Sequence, residues 1–270
     1  MEKKRLLVSF ALSSLSLTLI ACSSPEQESS EKEKANVEHE AHSAEWSYKG
    51  ETGPEHWGDL DPANAACLNG KEQSPINIEI AQVPANEKLE NLELNYIPSD
   101  FSLINNGHTV QGNAEKTDNS IVVDGKEYKL IQFHFHTPSE HQFNGQSFDM
   151  EIHLVHQDAD GQLAVLGLMI KEGASNPELE KAWGVLPKEE TAEGIKLTEP
   201  IDLMSMLPKD QQSFRYNGSL TTPPCTEGVK WIVLEQPIEM SKEQIDSFRQ
   251  IFPDNHRPVQ PLEKREVMKN

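Results

Sequence analysis

The chain has 270 residues, enough for one large domain with a sizeable core or for two small ones. Its formal charge of -20 at pH 7 argues against a nucleic-acid partner, which would need clustered Lys and Arg to contact phosphates. Such an excess of acid mainly promotes solubility outside the cell.

Residues 1–5 carry three positive charges, and Leu6 to Ile20 is apolar apart from serines and one threonine. This reads as a secretory signal over residues 1–21, short for a membrane span. It ends in Leu19-Ile20-Ala21-Cys22, which resembles a bacterial lipobox. Cys22 is then the lipidated mature N-terminus, and the expected location is extracytoplasmic, anchored by lipid to a bacterial membrane at the periplasm or cell surface. Residues 22–44 are rich in Ser, Glu, Lys and Gln and cannot bury enough apolar area to offset ordering, so a flexible tether is expected. His39 and His42 within it read as solvated. Cys67 and Cys225 remain, and in an exported protein two leftover cysteines suggest one disulfide.

From residue 45 to 270 the pattern is that of a single, mainly β domain. Short β-rich runs follow one another at Leu92–Ile97, Phe101–Asn105, Thr109–Asn113, Ser120–Val123, Lys129–Phe135, Phe148–His156, Leu163–Ile170, Phe214–Leu220 and Lys230–Leu234. Turn signals such as Asn106-Gly107, Asp124-Gly125, Asn144-Gly145 and Asp160-Gly161 separate several of them. Helical signals are short, at Pro177–Val185 and Ser241–Ile251, the second opening with a capping box from Ser241 to Gln244. A mostly antiparallel sheet with peripheral short helices is predicted.

The stretch Gln132-Phe133-His134-Phe135-His136 places two imidazoles on one face of a strand, roughly 6.6 Å apart, with two phenylalanines on the other. Two convergent imidazoles suit a metal, and a third ligand is expected from Glu151-Ile152-His153-Leu154-Val155-His156. His153 and His156 have opposite parity, so only one can face the same cleft, and spacing alone does not choose. Three neutral imidazoles with an open fourth position are the preferred set for catalytic zinc.

The chain from about Trp46 to Leu262 resembles the alpha-class carbonic anhydrases. The resemblance runs through "GPEHWGDL" (53–60), "QSPINI" (73–78), "NNGHTVQ" (105–111), "QFHFHTPSEH" (132–141), "EIHLVH" (151–156), "LAVLGLMI" (163–170), "NGSLTTPPCTEGVKWIVL" (217–234) and "NHRPVQPL" (255–262). It implies a central sheet of about ten mainly antiparallel strands and reversible hydration of carbon dioxide to bicarbonate and a proton by zinc-bound hydroxide. It also implies one Zn2+ per chain, held by His134, His136 and His153. Zinc would bring the pKa of its water from 15.7 to about 7.

The same resemblance gives Gln132 and Glu151 as partners of the first and third ligands, and a backbone carbonyl near Asn255 as that of His136. It makes Thr221 the gatekeeper, passing its proton to Glu140, and His108 the proton shuttle. Tyr48, Asn106, Gln111 and Thr222 fall at positions of the water network. Val155, Val165, Leu220, Val229 and Trp231 match the apolar substrate wall. Cys67 and Cys225 fit a disulfide of secreted members, and cis bonds are implied at Ser74-Pro75 and Pro223-Pro224. Two positions depart from the common pattern: Thr137 stands where animal members carry tryptophan, and Gln111 where many carry asparagine.

Overall fold

The computed structural model describes residues 45–86, 89, 92–116 and 118–270. The predicted signal, Cys22 and the tether lie outside the described residues, which fall in one unit, 42–270. Among them no helix is long and apolar enough to cross a membrane.

The strands in chain order are β1 (Asn77–Ile78), β2 (Glu93–Asn95), β3 (Phe101–Asn105), β4 (Val110–Ala114), β5 (Ser120–Val123), β6 (Lys126–His136) and β7 (Gln142–Phe143). They continue as β8 (Met150–Gln157), β9 (Leu163–Glu172), β10 (Ile195–Lys196), β11 (Ser213–Ser219), β12 (Glu227–Met240) and β13 (Met268–Lys269). Eleven form one sheet in the order β10-β3-β4-β6-β8-β9-β12-β11-β13, with β5 paired to β6 and carrying β2. β1 and β7 make a separate two-stranded pair.

Every ladder of the large sheet is antiparallel except β9–β12, which is parallel and makes the sheet mixed. Parallel neighbours need a long crossover, and residues 173–226 provide it. That connection holds α3 (Pro177–Trp183), β10, α4 (Leu203–Met206) and β11, while α1 (Trp57–Leu60) and α2 (Ala65–Asn69) precede the sheet. These short helices other than α3 escaped the sequence reading, because four or five residues are too few to show a helical period. α5 (Lys242–Arg249) is shorter than its predicted run and carries the expected capping box between Ser241 and Gln244.

β12 runs well beyond Lys230–Leu234: its register against β9 shifts between Leu234 and Ile238, and the pairing resumes beyond Pro237. A proline lacks an N–H for the ladder, and a bulge is where a strand tolerates one.

Another bulge decides which face β6 presents. Its register against β8 shifts between Leu130 and Gln132. Leu130 joins the main apolar core with Phe133 and Phe135, although simple alternation would put it on the face of Gln132 and His134. The extra residue reverses the pleat, so Gln132, His134 and His136 turn to the opposite side. On β8, Ile152 and Leu154 enter the same main core, which leaves Glu151, His153 and Val155 on the histidine side. Ser74-Pro75 and Pro223-Pro224 are cis, as is Thr137-Pro138.

Candidate metal centre

His134 lies directly opposite His153 in the β6–β8 ladder, and His136 follows two residues on, opposite Glu151. One ligand atom from each of His134, His136 and His153 falls within 4.8 Å of the others. His156, the other sequence candidate, lies on the main-core side, where its Nε2 meets the Tyr96 hydroxyl at 2.8 Å. Burial lowers its pKa to about 3, which keeps it neutral.

The outer nitrogens of the three rings are fixed by acceptors. His134 Nδ1 donates to the Gln132 carboxamide oxygen at 2.8 Å. His136 Nδ1 donates to the Asn255 carbonyl at 2.8 Å, and His153 Nε2 to Glu151 Oε1 at 2.8 Å. A neutral imidazole has one N–H, so the remaining nitrogens, His134 Nε2, His136 Nε2 and His153 Nδ1, all present lone pairs. His134 Nε2 and His153 Nδ1 stand 3.3 Å apart with no proton between them, and His136 Nε2 is buried without a partner. Protonation does not resolve the conflict. Burial lowers all three rings, His136 to about 4 and His134 well below its usual value, where the charges of His136 and His153 add to the effect. Three converging lone pairs fit a cation, and this all-imidazole donor set fits zinc.

The Glu151 carboxylate accepts four hydrogen bonds, two on each oxygen. Its Oε2 accepts from the backbone N–H groups of Glu140 and His141 at 2.9 and 2.8 Å. Its Oε1 accepts from His153 and, at 2.7 Å, from His141 Nδ1. Burial opposes its charge, yet His141 and His153 together hold its pKa well below the usual carboxylate range. His141 Nε2 then accepts from the Tyr216 hydroxyl at 2.6 Å, and that hydroxyl meets Ser74 Oγ at 2.8 Å. His141, Glu151 and His153 also cluster closely enough to suggest a second metal set, but both rings donate to the carboxylate, so this group is a hydrogen-bonded brace. Sequence reasoning missed His141 and Tyr216. The only signal for His141 was its position inside the His-rich stretch.

Glu140 is buried and takes the Arg257 backbone N–H on Oε1 at 2.8 Å. Burial raises its pKa, while the charge of His153 and the Thr221 hydroxyl favour the ionised form. Glu140 Oε2 has no aligned donor, so the Thr221 hydroxyl faces the carboxylate without a closed hydrogen bond. Thr221 is buried in a loop closed by Leu220 N to Thr226 O and by Cys225 N to Thr222 O. The Cys67–Cys225 disulfide pins the end of this loop. Arg257, also absent from the sequence reading, is buried with its guanidinium on Gln73 Oε1, Ser74 O and Cys67 O. It packs over the Trp57 ring.

Val155, Val165, Val229 and Trp231 belong to one buried apolar cluster on the histidine side, with Leu220 packed against it. Val155 pairs with Val165, and Val165 with Trp231, across adjoining strands. The Trp231 ring lies 4.8 Å from that of His153. The five side chains named from the sequence therefore lie together in one apolar cluster beside the three histidines.

His108 is half-buried and stacked on Trp46, ring centroids 3.6 Å apart, a contact the sequence did not reveal. Burial lowers its pKa, and the nearby Glu45 and Glu190 carboxylates oppose that shift. Tyr48 packs edge-on to Trp46 and Trp57, its buried hydroxyl unpartnered. Gln111 is the register partner of His134 and donates to Asn113 Oδ1 at 2.6 Å. Asn106 is exposed, and its Oδ1 accepts from the N–H groups of His108 and Thr109, so it organises the turn that carries His108.

Thr137 is buried, its hydroxyl donating to Asp149 O at 3.1 Å and accepting from Arg249 Nε at 3.3 Å. A polar brace thus occupies the position where a tryptophan is common in the family it resembles.

Known proteins share this arrangement of chain. The family model for eukaryotic-type carbonic anhydrase matches residues 52–270. A carbonic anhydrase of Klebsiella pneumoniae is 45% identical over 225 residues, covering 83% of this chain and 90% of the relative. One of Neisseria gonorrhoeae is 43% identical over 224 residues, with 83% and 87% covered. The solved alpha-carbonic anhydrase of Thermovibrio ammonificans, in complex with the inhibitor sulfanilamide, superposes with a TM-score of 0.80 at 48% identity, covering 83% of this chain and 99% of that one. The chain belongs to the eukaryotic-type, or alpha, carbonic anhydrase family, enzymes whose general reaction is the hydration of carbon dioxide.

Proposed function

We propose that the chain hydrates carbon dioxide reversibly with one zinc ion held by His134, His136 and His153, and exports the proton through His108. The observation that carries this reading is the convergence of three lone pairs whose outer nitrogens are all committed to acceptors. Zinc, when bound, supplies the Lewis acidity that makes water a nucleophile near neutral pH.

The protein's own groups do the rest. Gln132, the Asn255 carbonyl and Glu151 hold the ring tautomers and orientations. Thr221, with its proton turned to the Glu140 carboxylate it faces, would offer only an acceptor to the open side of the site and so orient a donor there. Val155, Val165, Leu220, Val229 and Trp231 give an apolar wall suited to a small apolar substrate. His108, half-buried with its pKa lowered by burial and held up in part by Glu45 and Glu190, takes the released proton to buffer.

Cys22 after Leu19-Ile20-Ala21 supports a lipid anchor outside the cytoplasm. A Cys22→Ala protein is expected in the soluble fraction with full activity, and release with loss of activity would contradict it.

The test of the proton route is stopped-flow hydration by wild-type and His108→Ala protein in weak and imidazole buffers. A kcat about tenfold lower for the variant in weak buffer, restored by imidazole, supports the shuttle. Equal kcat in both buffers removes it. Sulfanilamide, the inhibitor bound by the Thermovibrio ammonificans enzyme, is expected to inhibit the wild type as well.

A further inference from the structure

We infer that the Asn255 side chain is a positioning residue that ties the turn bearing His108 to the metal-bearing end of β6, an inference that rests on the shuttle reading of His108. Asn255 is fully buried, and every polar group it has is committed. Its carbonyl accepts from His136 Nδ1 at 2.8 Å, and its N–H donates to Thr137 O at 3.0 Å. The carboxamide repeats the pattern with the side chain. Oδ1 accepts from Thr137 N at 2.8 Å, while Nδ2 donates to Phe135 O and to His108 O, each at 2.9 Å.

Residues 135 and 137 flank the ligand His136, so the carboxamide grips the strand on both sides of the ligand and holds the shuttle residue's backbone with its remaining proton. Only a carboxamide offers one acceptor and two donors in a single plane. An ionised aspartate would turn an oxygen toward two carbonyls, and alanine would leave the His108 carbonyl and the Thr137 N–H without the partner each has here. Thr109 reinforces the tie from the turn itself, its hydroxyl donating to the same Phe135 carbonyl at 2.6 Å. Because the turn and the ligand strand share these bonds, the distance from His108 to the site is set at Asn255. Displacement of about 1 Å in such a positioned group can cost about a hundredfold in rate.

The test uses the full-length, zinc-loaded protein with Asn255→Asp, nearly isosteric, beside Asn255→Ala and His108→Ala. In weak buffer, kcat of Asn255→Asp is expected to fall about tenfold more than kcat/KM, with imidazole restoring kcat. Amide exchange over residues 105–109 is expected to quicken at least tenfold. Parallel loss of kcat and kcat/KM together with zinc loss would overturn the proposal, since Asn255 would then serve the metal site alone. Unchanged exchange of the turn would overturn it as well. If His108→Ala keeps wild-type kcat in weak buffer, the shuttle reading fails, and exchange alone decides the tie: quickened exchange keeps it and unchanged exchange removes it. Asn255→Asp carries the test if Asn255→Ala does not fold.

Discussion

His134 and His153 face one another across β6 and β8 with Nε2 and Nδ1 3.3 Å apart, and both atoms present lone pairs. Two acceptors at that distance repel unless a cation lies between them and His136 Nε2. Replacing either residue by alanine is expected to reduce bound zinc from one per chain to a trace.

His156→Ala has the opposite signature. Zinc stays stoichiometric, because His156 faces Tyr96 on the other side of β8. Stability falls by about 1–3 kcal/mol from the stranded Tyr96 hydroxyl, with a further loss from the cavity. Zinc analysis and a urea midpoint read the two effects separately. Loss of zinc in this variant would contradict the assignment of faces.

Zinc affinity is expected to grade with how firmly each ligand is supported. Gln132→Ala removes one acceptor and should weaken binding about 10- to 100-fold. Glu151→Gln should cost more, because Glu151 takes four donors inside the protein. Competition against a chelator of known affinity ranks the two, and an equal cost would show that the brace through His141 and Tyr216 adds nothing.

Metal-free protein should lose stability as pH falls from 6.5 toward 3. His156 is neutral when folded, with a pKa of about 3, against 6.5 when unfolded. Over that window the unfolded chain binds the extra proton, so acid favours unfolding, by at most about 5 kcal/mol for this group. His136, lowered to about 4, acts in the same direction. In His156→Gln the dependence of stability on pH should be shallower by about one proton, and an unchanged slope would contradict the account.

Reduction of Cys67–Cys225 is expected to reach the loop that carries Thr221. Cys225 O accepts from Gln73 Nε2 and Cys67 O from Arg257, whose own N–H holds Glu140. The Cys67→Ser, Cys225→Ser protein should be about 2–5 kcal/mol less stable, with kcat/KM lowered as well. A stability loss with kcat/KM intact would confine the bridge to a structural role.

How much of this was legible in the sequence depended on the range of the interaction. Phe133, His134, Phe135 and His136 alternate within one strand, so their faces could be read locally. The bulge after Leu130 left no mark in the sequence, yet it sets which face the histidines share. Parity separated His153 from His156 without choosing between them. The choice lies in register against β6, a property of two strands, and the family resemblance supplied it. Asn255 is 119 residues from His136, and no spacing rule spans that distance. Arg257, Tyr216 and Trp46 went unnoticed for the same reason: each acts through a partner far away in the chain. Thr221 and Glu140 depended wholly on the resemblance, since a threonine in a loop and a glutamate in a turn carry no pattern of their own.

The most direct measurement is stopped-flow hydration of carbon dioxide with zinc content determined on the same samples of wild-type and His153→Ala protein. The account predicts rapid hydration with one zinc per chain in the wild type, and loss of both in the variant. Stoichiometric zinc in the wild type without hydration, or hydration surviving in zinc-free His153→Ala, would contradict it.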